Sequence, residues 1–438
     1  MSKRYPAYKP SGIEWIGEIP EHWTVRKLSR SYEKIGSGTT PSVDNRTYYE
    51  EGTIDWVNTG DLNDAYLTKC SKKVTEAALN EHSSLKVFPI GSVIMAMYGA
   101  TIGKLSILRI PACTNQACCV LTQSRYFENR YTFYWLMANR QHIISMAYGG
   151  GQPNISQELV RSLRVTAPPI YEQKTIAAYL DQKTALIDQT IQKKQRLIDL
   201  LQEERTALIN RAVTRGLNPD VQLKPSGVEW LGDVPEHWKV VKLKYIARLK
   251  SGDSITAESI SEFGAYPVYG GNGFRGYTNS YTHDGSFPLI GRQGALCGNV
   301  NYAEGKFWAS EHAVVVTPTG DNNFFWLGEL LRRMNLNQYS QSAAQPGLAV
   351  DFIQNLSIPV PPKNEQDQIA AYIKDLSTRT GKTLERIERE ITLLQEYRTA
   401  LINEVVTGKR CVIDNKASDE IPMLLSETST RTSIAQPA

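Results

Sequence analysis

One long block occurs twice in this chain. PPIYEQKTIAAYLDQKTALIDQTIQKKQRLIDLLQEERTALIN runs from Pro168 to Asn210 and returns as PPKNEQDQIAAYIKDLSTRTGKTLERIEREITLLQEYRTALIN from Pro361 to Asn403, offset by 193 residues with no gap. Each copy opens on Pro-Pro, which suits a helix start because proline lacks an amide donor and pre-sets φ; neither copy holds another proline. Leu180, Ile187, Ile191, Ile198, Leu201 and Leu208 recur at steps of three, four and seven, and Ile373, Leu384, Ile387, Ile391, Leu394 and Leu401 share that register. This is the narrow apolar seam of a coiled coil with charged flanks. Gly216 (with Pro219 behind it) and Gly408 mark the stops. Each helix should span about 40 residues, or roughly 60 Å. Equal length and register make the two helices natural partners.

A second repeat frames the first. Lys9 to Leu28, KPSGIEWIGEIPEHWTVRKL, matches Lys224 to Leu243, KPSGVEWLGDVPEHWKVVKL, at 14 of 20 positions and an offset of 215. The chain is therefore one module used twice, with the segment between frame and helix 22 residues shorter in the second half. Those inner segments, Ser29 to Gly151 and Lys244 to Ala344, carry short β-branched runs and many turn residues, which predict a twisted sheet with long loops. Helices are expected at Arg130 to His142 and Asn323 to Arg333. Past them, Gln152-Pro153 matches Gln345-Pro346, and Ile155, Val160, Leu163 and Val165 match Leu348, Ile353, Leu356 and Ile358, positions expected to seat each domain on its helix. The reading is α/β (α+β): a globular domain over 1–167, a helix over 168–216, a second domain over 217–360, a second helix over 361–410, and a tail over 411–438. From Asp414 onward the tail is polar and rich in Ser and Thr, the composition of a disordered segment.

Bulk properties narrow the class. At 438 residues more than one core is expected. The start, MSKRYPAYKPSG, offers no signal-peptide stretch, and no run approaches the ~18 apolar residues that cross a bilayer. Six cysteines form no CxxC pair, so free thiols in a reducing, cytoplasmic setting are expected. The net charge of +4 is only mildly basic, and the inner segments carry +2 and zero, so charge alone does not announce a nucleic-acid partner.

Catalytic motifs fare poorly. Gly271 to Gly276 spells GxGxxG, but the chain continues YTNSYTHDGSF where a dinucleotide site needs a helix, and a loop fits better. Gly381-Lys382-Thr383 has Leu376 where a phosphate loop needs its first glycine, and reads as a soft spot in the second helix. Glu304-Gly305-Lys306, with Asp284 upstream, reads as a hairpin turn rather than a nuclease metal site. The Glu-His-Trp triplets at Glu21 to Trp23 and Glu236 to Trp238 lie in the common frame, where packing or docking is the better reading. No HExxH motif, paired zinc ligands, Walker sequence or aminomethyltransferase Asn/Asp-Pro-Pro-Tyr/Phe motif occurs. A chain without catalytic residues, metal or cofactor of its own is expected.

What remains is binding. Loops that combine flexible backbone with Arg, Lys, Gln, Asn and Thr suit base edges and phosphates. The candidates are Thr39, Thr40, Asn58, Tyr98, Thr101, Lys104, Asn115 and Gln116 in the first domain, and Asn272, Arg275, Arg292 and Gln293 in the second.

The doubled SGxEWxGxxPEHW frame, a variable domain, then PPxxEQxxIAxYL leading a long helix closely resembles the specificity subunits of type I restriction–modification enzymes, over nearly the whole chain to about residue 410. WVNTGDL and YGATIGK in one half, and YPVYGGNG and GRQGALCGNV in the other, look like two different subtypes of that family's target recognition domains. The resemblance implies two domains each reading half of a split, asymmetric site in double-stranded DNA. The paired helices would give an approximate two-fold axis, set the unread gap, and dock two modification subunits, with Glu172, Gln173, Tyr179, Glu365, Gln366 and Tyr372 as docking candidates. It also implies two restriction subunits, and S-adenosylmethionine, ATP and Mg in the partners rather than here. The specificity subunit of a system that cuts on both sides of its site is a variant of this reading. The alternative from another class is a two-headed coiled-coil scaffold that binds proteins without DNA.

Overall fold

The structure, a computed structural model, describes residues 4–147, 154–294, 296–340 and 347–413. The Gln152-Pro153 and Gln345-Pro346 matches and the Asp414 to Ala438 tail lie outside the described residues. The chain divides into two compact units, Met1–Gln192 with Ile391–Ala438, and Lys193–Glu390. The partition cuts across both long helices, so each unit is a globular domain together with one stretch from each helix.

The helices are Ile170–Arg215 and Lys363–Val406, of 46 and 44 residues, somewhat longer than the apolar seam alone suggests. The second runs unbroken through Gly381. Gly216 and Gly408, at φ +76 and +77, follow their ends, a left-handed backbone that favours glycine. At Gly408 space decides as well, because a Cβ would meet Pro20 Cδ at 2.4 Å.

In the first unit, Asp188 accepts from Arg398 at 2.9 and 3.3 Å, and Leu180 and Ile187 share a core with Leu401 and Ile402. In the second unit Lys194 pairs with Glu390 at 2.5 Å and Arg205 donates to Ser377 at 3.1 Å. As one number rises the other falls, so the stretches run antiparallel. Ile198 and Ile387 are buried there, as the heptad seam requires.

The first domain is built on a five-stranded sheet in the order Ile35–Gly36, Cys118–Leu121, Val93–Ala96, Leu105–Leu108, Ala65–Leu67. Its three central strands are buried throughout, so apart from Ser106 they read as apolar runs rather than alternating ones. Val93, Met95, Cys119 and Leu121 face the core shared with the helices, while Ile94, Ala96, Cys118 and Val120 face a second core. A smaller sheet orders Cys113–Thr114, Ile54–Val57 and Lys72–Val74. Helices Asn129–Ala138 and Arg140–Ser145 occupy the stretch expected to be one helix.

The second domain holds one six-stranded sheet, ordered Ala247–Ser251, Ala313–Pro318, His283–Gly291, Val300–Ala309, Tyr266–Gly270, Gly273–Thr278. Helix Phe324–Arg333 packs against it, with the Asn323 side chain accepting from the Phe325 and Trp326 amides. The GxGxxG run forms the tip and return strand of a tight hairpin. The hairpin-turn reading of Glu304-Gly305-Lys306 is corrected: these residues lie within a long strand, with Ser286, Gly285 and Asp284 as their partners.

In each unit the frame closes the domain with a short antiparallel pair: Thr24–Lys27 with Arg164–Ala167, and Lys239–Lys242 with Ser357–Val360. The seating positions Ile155, Val160, Leu163 and Val165 are buried with Ile176 and Leu180, and Leu348, Ile353 and Ile358 with Ile369 and Ile373. Cys411 and Val412 also pack in the first unit's core.

Candidate nucleic-acid interface

Both domains are seated by the same lock. In the first unit the Trp23 indole N–H donates to Glu172 at 3.0 Å, Tyr5 Oη donates to the same carboxylate at 2.5 Å, and His22 Nε2 lies 2.8 Å away. In the second, Trp238 donates to Glu365 at 2.8 Å, with His237 Nε2 at 2.6 Å. The next residue repeats the logic. Gln173 accepts from the backbone N–H of Glu128, and Gln366 from that of Asn323, each at 2.9 Å. Glu128 and Asn323 are the N-cap residues of the equivalent domain helices. Glu172, Gln173 and Gln366 are buried and their side chains are engaged inside their own units, while Glu365, Tyr179 and Tyr372 are half-buried. This spends the Glu-Gln pairs on holding domain to helix. Burial, then the Glu172 contact, drives the Tyr5 phenol far above its usual range, so it stays a donor.

In the first domain strand geometry gathers the candidates. Cys118–Leu121 runs antiparallel to both Val93–Ala96 and Ile35–Gly36, and Leu105 lies opposite Met95. The segments holding Thr39 and Thr40, Tyr98 to Lys104, and Asn115 and Gln116 therefore emerge at one end of the sheet. Ile54–Val57 runs parallel to Cys113–Thr114 and brings Asn58 to the same end. Thr40 donates to Gln116 at 2.7 Å and Asn115 to Asn58 at 3.2 Å. Gly38 approaches Thr114 too closely for any side chain, with a Cβ 1.8 Å from the Thr114 carbonyl oxygen. Asn58 and Asn115 are half-buried and hold the ridge together; Thr40, Tyr98, Lys104 and Gln116 are exposed, with Thr39 and Thr101 half-buried. Burial pushes the Cys113 and Cys118 thiols up to about 12, so the ridge's polarity comes from amides and hydroxyls.

Sequence reasoning missed a basic edge beside this ridge. Lys69 and Lys72 are exposed, and Ser71 N–H donates to Asp61 Oδ1 at 3.0 Å, one turn from Asn58. Only the lysine clustering in LTKCSKK could have signalled it.

In the second domain the hairpin tip and the end of strand His283–Gly291 meet. A Cβ on Gly271 would lie 3.0 Å from the His312 carbonyl oxygen and 3.2 Å from that of Gln293, and the Arg292 N–H donates to His312 at 2.8 Å. Asn272, Arg275 and Gln293 are exposed; Arg292 is half-buried and donates to Ser251 at 3.2 Å. Arg275 lies across Gly270, its Cδ 2.5 Å from where a Cβ would project. His312, which faces Glu311 at 3.2 Å, joins this group unannounced by any motif. Among the described residues no cluster of three or more His, Cys, Asp or Glu is placed to hold a metal ion.

A two-fold repeated frame that seats two different polar-tipped domains on a pair of long helices defines a modular recognition protein. The chain belongs to the type I restriction modification DNA specificity family, whose model matches residues 20–198 and 235–393. It is 31% identical over 390 residues to the type I restriction enzyme EcoprrI specificity subunit of Escherichia coli, covering 85% of this chain and 90% of that one. It is 22% identical over 423 residues to the MjaVIII specificity subunit of Methanocaldococcus jannaschii, covering 89% and 93%. In fold it is similar to a chain from a study of assembly and conformational transition in a type I restriction–modification system, with TM-score 0.69 and 18% identity over 89% of this chain and 98% of that one. It is also similar to the HsdS subunit of Thermoanaerobacter tengcongensis, with TM-score 0.55 and 19% identity over the same shares. Family membership decides against the scaffold that binds proteins without DNA. Among the described residues no helix is long and apolar enough to cross a membrane.

Proposed function

We propose that this chain reads a split, asymmetric site in double-stranded DNA, one half through each domain, and directs adenine methylation and restriction by partner subunits. The observation that carries this reading is the convergence of loops from distant parts of the sequence onto one polar sheet end in each domain. Thr40, Gln116, Tyr98 and Lys104 form one reading surface; Asn272, Arg275, Arg292 and Gln293 form the other. Amide and guanidinium groups of this kind pair with base edges in the major groove. The two surfaces share no sequence, so the half-sites differ. The long helices would dock two modification subunits, which bind S-adenosylmethionine, and two restriction subunits, which use ATP and Mg, would join the complex. The complex would work in the cytoplasm, and this chain would hold no cofactor itself.

The test is a methylation map of host DNA with and without this chain. Loss of N6-methyladenine from one split, asymmetric motif with a fixed gap is expected. An unchanged map from a host whose modification subunit is active would overturn the reading.

A further inference from the structure

Phe274 stands out on the second reading surface because it is apolar, 55% exposed and rigidly held. It lies opposite Tyr269 in the hairpin and contacts the rings of Tyr269 and Tyr277 edge-on, with centroids at 6.3 and 5.1 Å. Tyr269 in turn meets Phe307, which is fully buried, at 5.7 Å. The exposed ring is thus braced against the domain core through one intermediate. Asn272 at the hairpin tip lies two residues before it, and the exposed Arg275, next in sequence, projects from the other face of the hairpin against Gly270. The adjoining Gly273, at φ +92, would bring a Cβ to 3.1 Å from Asn301, so the tip has no slack.

A braced aromatic ring beside the hairpin-tip Asn272 calls for an apolar feature on the ligand. In the major groove base edges offer one such feature, the C5 methyl of thymine. We infer that Phe274 is a specificity-determining residue that packs against a thymine methyl group in the half-site read by the second domain. This rests on the DNA-reading function proposed above. Asn272 would read a hydrogen-bonding edge beside it, and Phe274 would discriminate thymine from cytosine, which lacks the methyl.

The experiment uses the complex captured from its host through a tag on this chain, and duplexes carrying its mapped site with each thymine replaced in turn by uracil. That exchange deletes the methyl and keeps the base pair. At one thymine of the second domain's half-site, the wild-type complex should bind about fourfold more weakly, the worth of one buried methyl group. Phe274→Ala should bind the unmodified site more weakly by at least that factor and show no further loss with uracil there. Phe274→Leu should fall between. If wild type and Phe274→Ala respond alike at every thymine, the assignment is overturned. If the wild-type complex shows no preference for its site over competitor DNA, the DNA-reading function itself fails, and this assignment with it.

Discussion

Trp23 and Glu172, 149 positions apart, meet through an indole N–H to carboxylate hydrogen bond of 3.0 Å with both side chains fully buried. Trp238 and Glu365 repeat the contact, but the copies are unequal. Glu172 has Tyr5 as an additional donor, and its side chain is fully buried, whereas the Glu365 side chain is 28% exposed. Removing a buried acceptor strands its donors. Glu172→Ala should therefore destabilise the first unit by about 2–6 kcal/mol, one to three for each of the two donors it strands. Glu365→Ala should cost the second unit about 1–3 kcal/mol, the desolvation of one stranded donor. Denaturant unfolding followed by hydrogen exchange in each unit measures both; equal losses would show that the Tyr5 contact adds nothing.

Gly381 offers the opposite test. It lies inside the second long helix, and a Cβ there would meet nothing within 4 Å. Alanine in a helix interior is favoured over glycine by about 1 kcal/mol. Gly381→Ala should raise the unfolding free energy by that amount, read as a higher denaturation midpoint, and leave the methylation motif unchanged. A loss of stability would mean that the helix needs glycine's freedom at this point.

Much of this architecture is legible in the sequence because the chain says it twice. The seam from Leu180 to Leu208 recurs from Ile373 to Leu401, and Gly216 and Gly408 end both helices where local chemistry predicts. What misleads is chemistry settled by distant partners. Gly305 looks like a turn residue, yet it lies mid-strand at φ +76 opposite Gly285 at φ +135, so two glycines meet across one ribbon. Glu172 and Gln173 look like surface residues of a helix start, and only the folded frame shows Trp23 and the Glu128 amide waiting for them. Nor does local sequence reveal that Asn58 and Asn115, 57 residues apart, share a hydrogen bond. Exposure of Thr40, Gln116, Asn272 and Gln293 cannot be read from local sequence at all.

Arg292 and Gln293 test the division of labour between domains. Arg292 is half-buried and steadied by Ser251, so its guanidinium is partly pre-organised. A bidentate base contact is worth about 1–3 kcal/mol of discrimination. Replacing both residues by alanine should relax the motif only at bases read by the second domain, by roughly 5- to 150-fold on that measure. Methylome sequencing of the variant host reports this directly. Equal relaxation at both half-sites would refute the assignment of this loop to one half.

Lys69 and Lys72 should behave differently, because a phosphate contact carries affinity without sequence information. Lys73, beside them, lies 3.8 Å from Asp55, but Lys69 and Lys72 point from an exposed edge next to the first reading surface. Each phosphate neutralised by a lysine contributes about 0.9 to the slope of log affinity against log salt. Lys69→Gln with Lys72→Gln should thus lower that slope by about 2 and weaken binding at low salt more than at high. The methylation motif should keep every base. If the motif changes while the slope holds, these lysines read bases; if neither changes, the DNA passes elsewhere and the first reading surface must be redrawn.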